Sequence, residues 1–391
     1  MHEELKNEKK TVICCYWVNF FYIKMSYKIK YENPNRKIGL SGLMRVKDDA
    51  LTLEASIDSC IDGLDELIIT YNDCTDNCAD IIEKKRLEYP DKIKVYPYPY
   101  HIYAIRMSRE EYNYALSLPE DSPHLLSSYY NNALSKVNYK YVVKIDADQI
   151  YFTERLRYFR KLIKHEGEFS DVSMRIGRFI WSKFWVNRDQ PANYKTNTIR
   201  YWVKMFLYRF FKKSYYQYIF SLLKSNQTFI SLSGVNMIKN DDVWYITLCC
   251  KNANNIVPYN GEGDHLIFEA TEDTYYLPWY DWVISYDNNT KFNLIERFFP
   301  DRNICLAGLA WIHLNYMRPA MYVKRIRSLK EGNDKIVNVD EFFSWEYNKL
   351  LAEIDETLIS ENKIKHFSFV HDFERHNIKN EIKKKIRYTL G

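Results

Sequence analysis

The chain has 391 residues, enough for one large domain or two smaller ones around a sizeable buried core. Its formal net charge of +5 is too small for the concentrated basic surface that nucleic-acid binding requires, so that class of partner is set aside. Hydrophobic residues at 46% and charged residues at 27% are ordinary for a soluble protein, whereas 34 Tyr, 21 Phe and 9 Trp against 11 Gly are not. That excess fits either a codon bias or clefts that grip flat-faced ligands.

Eight cysteines include the adjacent pairs Cys14–Cys15 and Cys249–Cys250, and the pair Cys74 and Cys78. They form neither a secreted disulfide framework nor a paired CxxC zinc pattern, which points to reduced thiols in the cytoplasm. Glu3, Glu4 and Glu8 stand where a signal peptide would carry positive charge. The apolar run Val12 to Ile23 is shorter than the ~18 to 20 residues that cross a bilayer, so no spanning segment is expected.

Residues 1–37 read as an N-terminal extension closed by the turn-rich Glu32-Asn33-Pro34-Asn35. Ile38 to Val46 reads as a strand. Asp48 and Asp49 then offer an N-cap to a helix that turns Leu51, Ala55, Ile57 and Ile61 inward. Leu64 to Tyr71 is a second strand, followed by Asn72-Asp73, and Asp76 to Tyr89 a helix stopped by Pro90. A third strand over Ile93 to Tyr96, a Tyr- and Pro-rich loop and a helix over Leu125 to Val137 come next. Tyr141 to Ile145 is a β-branched buried strand that runs into Asp146-Ala147-Asp148.

This alternation predicts an α/β fold with a mostly parallel, doubly wound sheet and helices on both faces. Ligands sit at the carboxyl ends of strands in such sheets, where Asn72, Asp73, Asp146 and Asp148 all fall. Residues 38–165 form the first half. Residues 166–320 form a less regular second half, with strands over Val172 to Ile180 and Thr228 to Ile238. Residues 321–391 form a mainly helical C-terminal extension.

Two carboxylates separated by one residue, just past a buried strand, suit a hard divalent cation such as Mn²⁺ or Mg²⁺. One carboxylate can reach the cation directly and the other through water or a ribose. A cation there neutralises the charge that develops as a diphosphate leaves a sugar. A bare DxD also opens many solvent-exposed turns; its place after the fourth strand is what favours the cation.

Four blocks make the pattern specific. They are Met44-Arg45-Val46-Lys47-Asp48-Asp49-Ala50-Leu51-Thr52-Leu53-Glu54-Ala55-Ser56, Tyr71-Asn72-Asp73-Cys74-Thr75-Asp76, Ser128-Tyr129-Tyr130-Asn131, and Lys144-Ile145-Asp146-Ala147-Asp148-Gln149-Ile150-Tyr151. Over residues 43–151 the chain resembles the bacterial β-1,4-N-acetylgalactosaminyltransferases of lipooligosaccharide outer-core synthesis. The resemblance implies a GT-A fold, an inverting transfer and a UDP-sugar donor. It implies an N-acetylgalactosamine or related hexose passed to a lipid-linked or surface glycan. It places Arg45, Asn72, Asp73, Asn131, Lys144 and Asp146 around the nucleotide-sugar, with Asn72 or Asp73 on the base. Arg45 either reaches the base or diphosphate or pairs with Asp73; Asp73 and Asp76 also suit turn and helix capping.

An inverting transfer needs a carboxylate to accept the acceptor hydroxyl's proton. Asn260-Gly261-Glu262-Gly263-Asp264-His265 offers Asp264 first and Glu262 second, against the alternative of a glycine-rich turn with a capping acid. His313, in the apolar Leu309 to Leu314, is a third cation ligand or a satisfied core histidine. The stretch Arg200 to Lys224 sets Arg200, Lys204, Arg209, Lys212 and Lys213 among aromatics. It is either a peripheral anchor on the anionic inner face of the cytoplasmic membrane or a core helix with a basic outer face. Two other functions stay open: an inert nucleotide- or carbohydrate-binding protein on the same fold, and a nucleotidyltransferase. The latter usually carries glycines on the first strand-to-helix turn, which here is Arg45-Val46-Lys47-Asp48.

Overall fold

A computed structural model describes residues 28–105, 107–164, 176, 179, 199–226, 228–248, 259–260, 265–279, 283–286, 289–300, 302–332, 335–345 and 378–390. The chain divides into two compact units: residues 1–32, 102–135 and 271–301 in one, and 33–101, 136–270 and 302–391 in the other.

The larger unit holds the sheet. Strands β1 (Lys37–Val46), β2 (Glu66–Tyr71), β3 (Ile93–Pro97) and β4 (Tyr139–Asp146) pair in parallel in the order β3-β2-β1-β4. Leu40, Leu43, Met44, Leu67, Ile68, Ile69, Val142, Val143 and Ile145 are all at most 1% exposed. Burial of each such side chain contributes about 1.5–3 kcal/mol, which makes the strands a firm base for the polar residues at their ends. Strand β5 (Gln149–Tyr151) follows the turn after β4.

Helices α1 (Ala50–Cys60) and α2 (Cys78–Glu88) connect the first strands, and α5 (Thr153–Lys164) follows β5. Ile57 and Ile61 face inward as predicted and Ala55 packs against the core, but Leu51 does not. Leu51 is 67% exposed, while Leu53, Ser56, Ile57, Ser59 and Cys60 are buried. Ser56 and Ser59 face inward because they have polar work there: Ser56 Oγ donates to the Asp146 carbonyl at 3.0 Å, and Ser59 Oγ accepts from the Tyr151 amide at 2.8 Å. The predicted side-chain cap is absent too. The Ala50 amide donates to Asp76 Oδ2 at 2.9 Å, whereas Asp49 turns to Arg318. Helix α2 starts two residues later than predicted, since Asp76 Oδ1 accepts from the Cys78 amide at 3.1 Å instead of joining the helix.

The second half of the large unit is mixed. Helix α6 (Ile199–Lys224) precedes β6 (Thr228–Asn240), β7 (Val243–Thr247), β8 (Tyr259–Asn260) and β9 (Leu266–Glu269). Strand β9 pairs antiparallel with both β4 and β6, joining the two halves of the sheet. The carboxyl half of α6 buries Tyr215, Tyr216, Ile219, Phe220 and Leu223 in the core. Arg200, Lys204, Arg209, Lys212 and Lys213 lie outside the residues whose side chains are described. So does nearly all of the strand predicted over 172–180, where Ile176 and Phe179 are helical. No helix among the described residues is long and apolar enough to cross a membrane.

In the smaller unit, α3 (Arg109–Ser117) and α4 (Leu126–Ser135) accompany the antiparallel pairs β10 (Tyr275–Trp279) with β13 (Ile295–Phe299) and β11 (Val283–Tyr286) with β12 (Asn289–Phe292). Back in the larger unit, β14 (Asn303–His313) runs parallel to β6 and antiparallel to β5. Its register shifts around Gly308, whose φ of 80° suits glycine. Helix α7 (Pro319–Lys330), β15 (Ile336–Asn338) and α8 (Val339–Ser344) close the described fold before residues 378–390. The C-terminal region thus contains a strand, on the edge of β7, as well as helices.

Candidate active site

Asp146 is the last residue of β4, in register with Arg45 on β1. The α1 hydroxyls of Ser56 and Ser59 hold the turn that follows. Tyr151 completes that hold: its hydroxyl accepts from the Asp146 amide at 3.0 Å and donates to Gln149 Oε1 at 2.6 Å. The motif's backbone is therefore pinned on both sides.

The Asp146 carboxyl faces three basic side chains. His265 Nε2 lies 2.8 Å from Oδ2, and the buried Lys144 Nζ lies 3.8 Å from Oδ1. Burial pushes its pKa up, yet Lys144, His265 and Arg45 together outweigh burial and hold it well below the usual carboxylate range. Gln149 Nε2 is also 2.8 Å from His265 Nε2, and the Trp311 ring packs 4.4 Å from the histidine ring. Trp311 in turn lies over Gly234 of β6, where an added Cβ would stand 1.8 Å from the indole Nε1. Only glycine lets the ring approach so closely.

Asp148 is 4% exposed, and its Oδ2 is 3.4 Å from His313 Nε2 and 3.2 Å from Arg318 Nη2. Arg318 Nη2 also donates to the buried Asp49 at 2.6 Å. Burial raises the Asp148 pKa, but His313 and Arg318 overcome it and leave the group below its ordinary value. Asp49 goes the other way: burial, helped by the Asp148 charge, outweighs Arg318 and raises it.

The residues present suit a divalent cation. His313 Nδ1 lies 2.8 Å from Asn236 Oδ1, which leaves Nε2 as the ring nitrogen that faces the Asp148 carboxylate. An imidazole and a carboxylate oxygen form a donor set that Mn²⁺ accepts. Asp146, Asp148 and His313 do not gather within 4.8 Å: among the described residues the one such trio is Cys74, Asp76 and Cys78.

At the end of β2, Asn72 is 3% exposed and its Nδ2 has no hydrogen-bond partner among the described residues. A buried amide in that state is costly and invites a ligand carbonyl. Asp73, with φ 46°, is exposed and bound by His101 Nδ1 at 2.9 Å, with Lys47 Nζ at 3.9 Å. Lys47 and His101, rather than Arg45, are its ionic partners among the described residues. Asp48 Oδ1 accepts from the Thr75 amide and hydroxyl at 2.6 and 3.1 Å, while Asp76 caps Ala50. The loops after β1 and β2 are thereby cross-linked in both directions.

Asn131 belongs to the smaller unit. Its amide brackets one residue of β10, donating to the Tyr276 carbonyl at 2.8 Å and accepting from the Tyr276 amide at 2.7 Å. Glu262 and Asp264 lie outside the described residues. The structure thus brings Arg45, Lys144, Asp146, Asp148 and His313 together, and adds Asp49, Gln149, His265 and Arg318, to which sequence reasoning gave no site role. The signals for the last two were slight: a histidine directly after the glycine-rich acidic loop, and an arginine directly before a proline that starts a helix.

The parallel β3-β2-β1-β4 half-sheet, with helices between its strands and an acidic pair at the end of the fourth, is the α/β architecture that the sequence predicts. The profile of the family described as beta-1,4-N-acetylgalactosaminyltransferase (CgtA) matches residues 2–199, half of the chain, and the chain belongs to that family of glycosyltransferases. Among solved structures it is similar to S. aureus TarS 1-349 in complex with UDP-GlcNAc, at 9% identity, covering 89% of this chain and 92% of that one, with a TM-score of 0.27. It is also similar to glucosyl-3-phosphoglycerate synthase of Mycobacterium tuberculosis in complex with Mn²⁺, UDP and glucosyl-3-phosphoglycerate. There the identity is 20%, the coverage 29% of this chain and 34% of that one, and the TM-score 0.17. The chain therefore spans about a third of the mycobacterial enzyme's length, and at these TM-scores neither likeness carries an argument. No curated protein matches the chain.

Proposed function

We propose that the chain moves N-acetylgalactosamine or a related hexose from a UDP-sugar to a lipid-linked or surface glycan, with inversion at the anomeric carbon. Family membership supports the transferase class. The observation that carries the mechanism is the pairing of Asp148 with His313, whose far nitrogen is engaged by Asn236, beside Asp146 at the carboxyl edge of the sheet. In this reading Asp148 and His313 hold Mn²⁺ or Mg²⁺. Asp146 meets the donor through water or a ribose hydroxyl, in keeping with its separation from that pair. A bound cation there neutralises the diphosphate charge.

The chain's own residues do the rest. Asn72 offers its buried amide to a carbonyl of the base, and Arg45 and Lys144 add positive charge beside the diphosphate. The acceptor hydroxyl oxygen bonds to the anomeric carbon as the carbon–oxygen bond to UDP breaks, and its proton passes to Asp264 or, failing that, Glu262. The enzyme works on the cytoplasmic side, with the basic helix α6 as its contact to an anionic membrane surface.

One observation favours a second reading, a nucleotide-binding protein without catalysis: Arg318 already neutralises Asp148 at 3.2 Å. The two readings separate in one assay. Release of UDP from UDP-N-acetylgalactosamine and UDP-N-acetylglucosamine is measured with Mn²⁺ and with chelator, for wild type and for Asp148→Asn. Transfer predicts turnover that chelator abolishes and that Asp148→Asn lowers by roughly a hundredfold or more. Turnover unchanged in chelator ends the cation mechanism, and nucleotide binding without any turnover establishes the second reading.

A further inference from the structure

Cys74 and Cys78 flank Asp76 in the loop that joins β2 to α2, and the proposed transfer uses none of the three. Both thiols are free. Their sulphurs and an Asp76 carboxylate oxygen lie within 4.8 Å of one another. The alternation in sequence explains how: residues two apart across the turn into a helix converge on one side of its first turn. Cys78 is fully buried, Cys74 half-buried and Asp76 exposed, so the cluster is anchored at one end and open to solvent at the other.

We propose that Cys74, Asp76 and Cys78 form a binding site for a thiophilic divalent cation of the zinc class, separate from the hard-cation site at Asp148. Thiolates select zinc over magnesium or manganese, and two sulphurs with one carboxylate oxygen supply three corners of a tetrahedron. With Zn–S bonds of ~2.3 Å the two sulphurs of such a site stand roughly 3.8 Å apart, so the trio closes on the ion by about 1 Å at most. The fourth corner is left to water. To coordinate, the Cys74 thiol gives up long contacts to the Val46 and Asn72 carbonyls at 3.8 and 3.7 Å. The Asp49 amide donates to Cys78 Sγ at 3.2 Å, a contact that stabilises a coordinated thiolate. Asp76 is oriented by the amides of Ala50 and Cys78, which leave each carboxylate oxygen a further lone pair. On binding, each thiol releases its proton to solvent, so charge and atoms balance without an oxidant. The cation would fasten the loop that starts at Asn72 to the first turn of α2 and, through Asp76, to the start of α1.

The test uses the full chain, reduced and stripped of metal, in saturating Mg²⁺. Zinc chloride is titrated by equilibrium dialysis, and Co²⁺ is added separately as a spectroscopic probe. Cys14, Cys15, Cys249 and Cys250 offer thiols of their own, so the reading is the difference between wild type and Cys74→Ser. Cys74 is the substitution site because it is only half-buried; Asp76→Asn is the second variant. The expected result is one zinc equivalent fewer in Cys74→Ser, weaker zinc binding in Asp76→Asn, and a near-ultraviolet thiolate-to-cobalt band present in wild type and lost in Cys74→Ser. Equal zinc stoichiometry and affinity in wild type and Cys74→Ser, or displacement of that zinc by excess Mg²⁺, would overturn the proposal. Neither result bears on the sugar-transfer assay.

Discussion

Replacing Gly234 by alanine tests whether the core behind the acidic pair is as tightly set as its geometry implies. The new methyl carbon would stand 1.8, 2.2 and 2.4 Å from Nε1, Cδ1 and Cε2 of Trp311. Ordinary carbon contacts lie at about 3.5–4.0 Å, so the overlap exceeds about 1 Å at three atoms together. Trp311 is fully buried on a strand that pairs in parallel with β6 and lies directly opposite Gly234, which leaves no flexible tip to swing aside. Relief means rotating the indole away from His265 or parting two central strands. Overpacking of this kind costs about 1–3 kcal/mol, and this case belongs at the top of that range or above it. A loss of about 3 kcal/mol is roughly a hundredfold in the folding equilibrium. The denaturation midpoint followed by circular dichroism should fall accordingly, and turnover should fall with it because His265 no longer holds Asp146. Trp311→Leu removes the indole Nε1 and Cε2, so the double variant should lose less than the two single losses combined. A Gly234→Ala protein with the wild-type midpoint and unshifted tryptophan fluorescence would refute the packing argument.

Arg318→Met strips the shared cation from the buried Asp49 and Asp148. Because the guanidinium side chain is 41% exposed, the loss should be roughly 2–3 kcal/mol, below the figure for fully buried pairs, with Asp49→Asn restoring part of it; denaturant midpoints measure both. Asp146 and Asp148 sit below their ordinary values when folded, so their charge stabilises the fold above the unfolded-state value of about 3.9 and that contribution is lost as pH falls from there through the folded values. The stability gap between wild type and Asp146→Asn should therefore be widest above the unfolded-state value and close as the solution is acidified through the folded one, whereas a gap constant with pH would deny that the carboxylate charge contributes. Asn131→Ala should cost about 2 kcal/mol through the two orphaned backbone groups of Tyr276, expose that amide to hydrogen exchange and leave UDP affinity unchanged. Undiminished protection at Tyr276 with weakened UDP binding would return Asn131 to the nucleotide.

The parallel half-sheet was legible because each of its strands is a short apolar run with punctuation at both ends. Asp146 and Asp148 were legible because they interrupt such a run at the place where these sheets bind ligands. Leu51 and the inward serines of α1 were misread for a definite reason: hydrophobic periodicity cannot see that Ser56 and Ser59 have partners on the β4–β5 turn. Asp49 looked like a cap because helix starts favour aspartate locally. Its actual partner lies 269 residues away, beyond any window of sequence. His265 was hidden for the same cause, since nothing near it in the chain hints at an acid 119 positions earlier. Local chemistry was readable, and long-range pairing was not.

That separation along the chain has a consequence for how the protein is made. Synthesis runs from the amino end, so the acidic pair leaves the ribosome well before His265, His313 and Arg318, which face it in the folded chain. A nascent chain halted near residue 200, where the family match ends, carries Asp146 with Lys144 and Arg45 but lacks those three later partners. The carboxyl edge of the sheet around the acidic pair is thus among the last parts to mature, and truncated products should hold strands β1 to β4 yet lack a settled acidic pair.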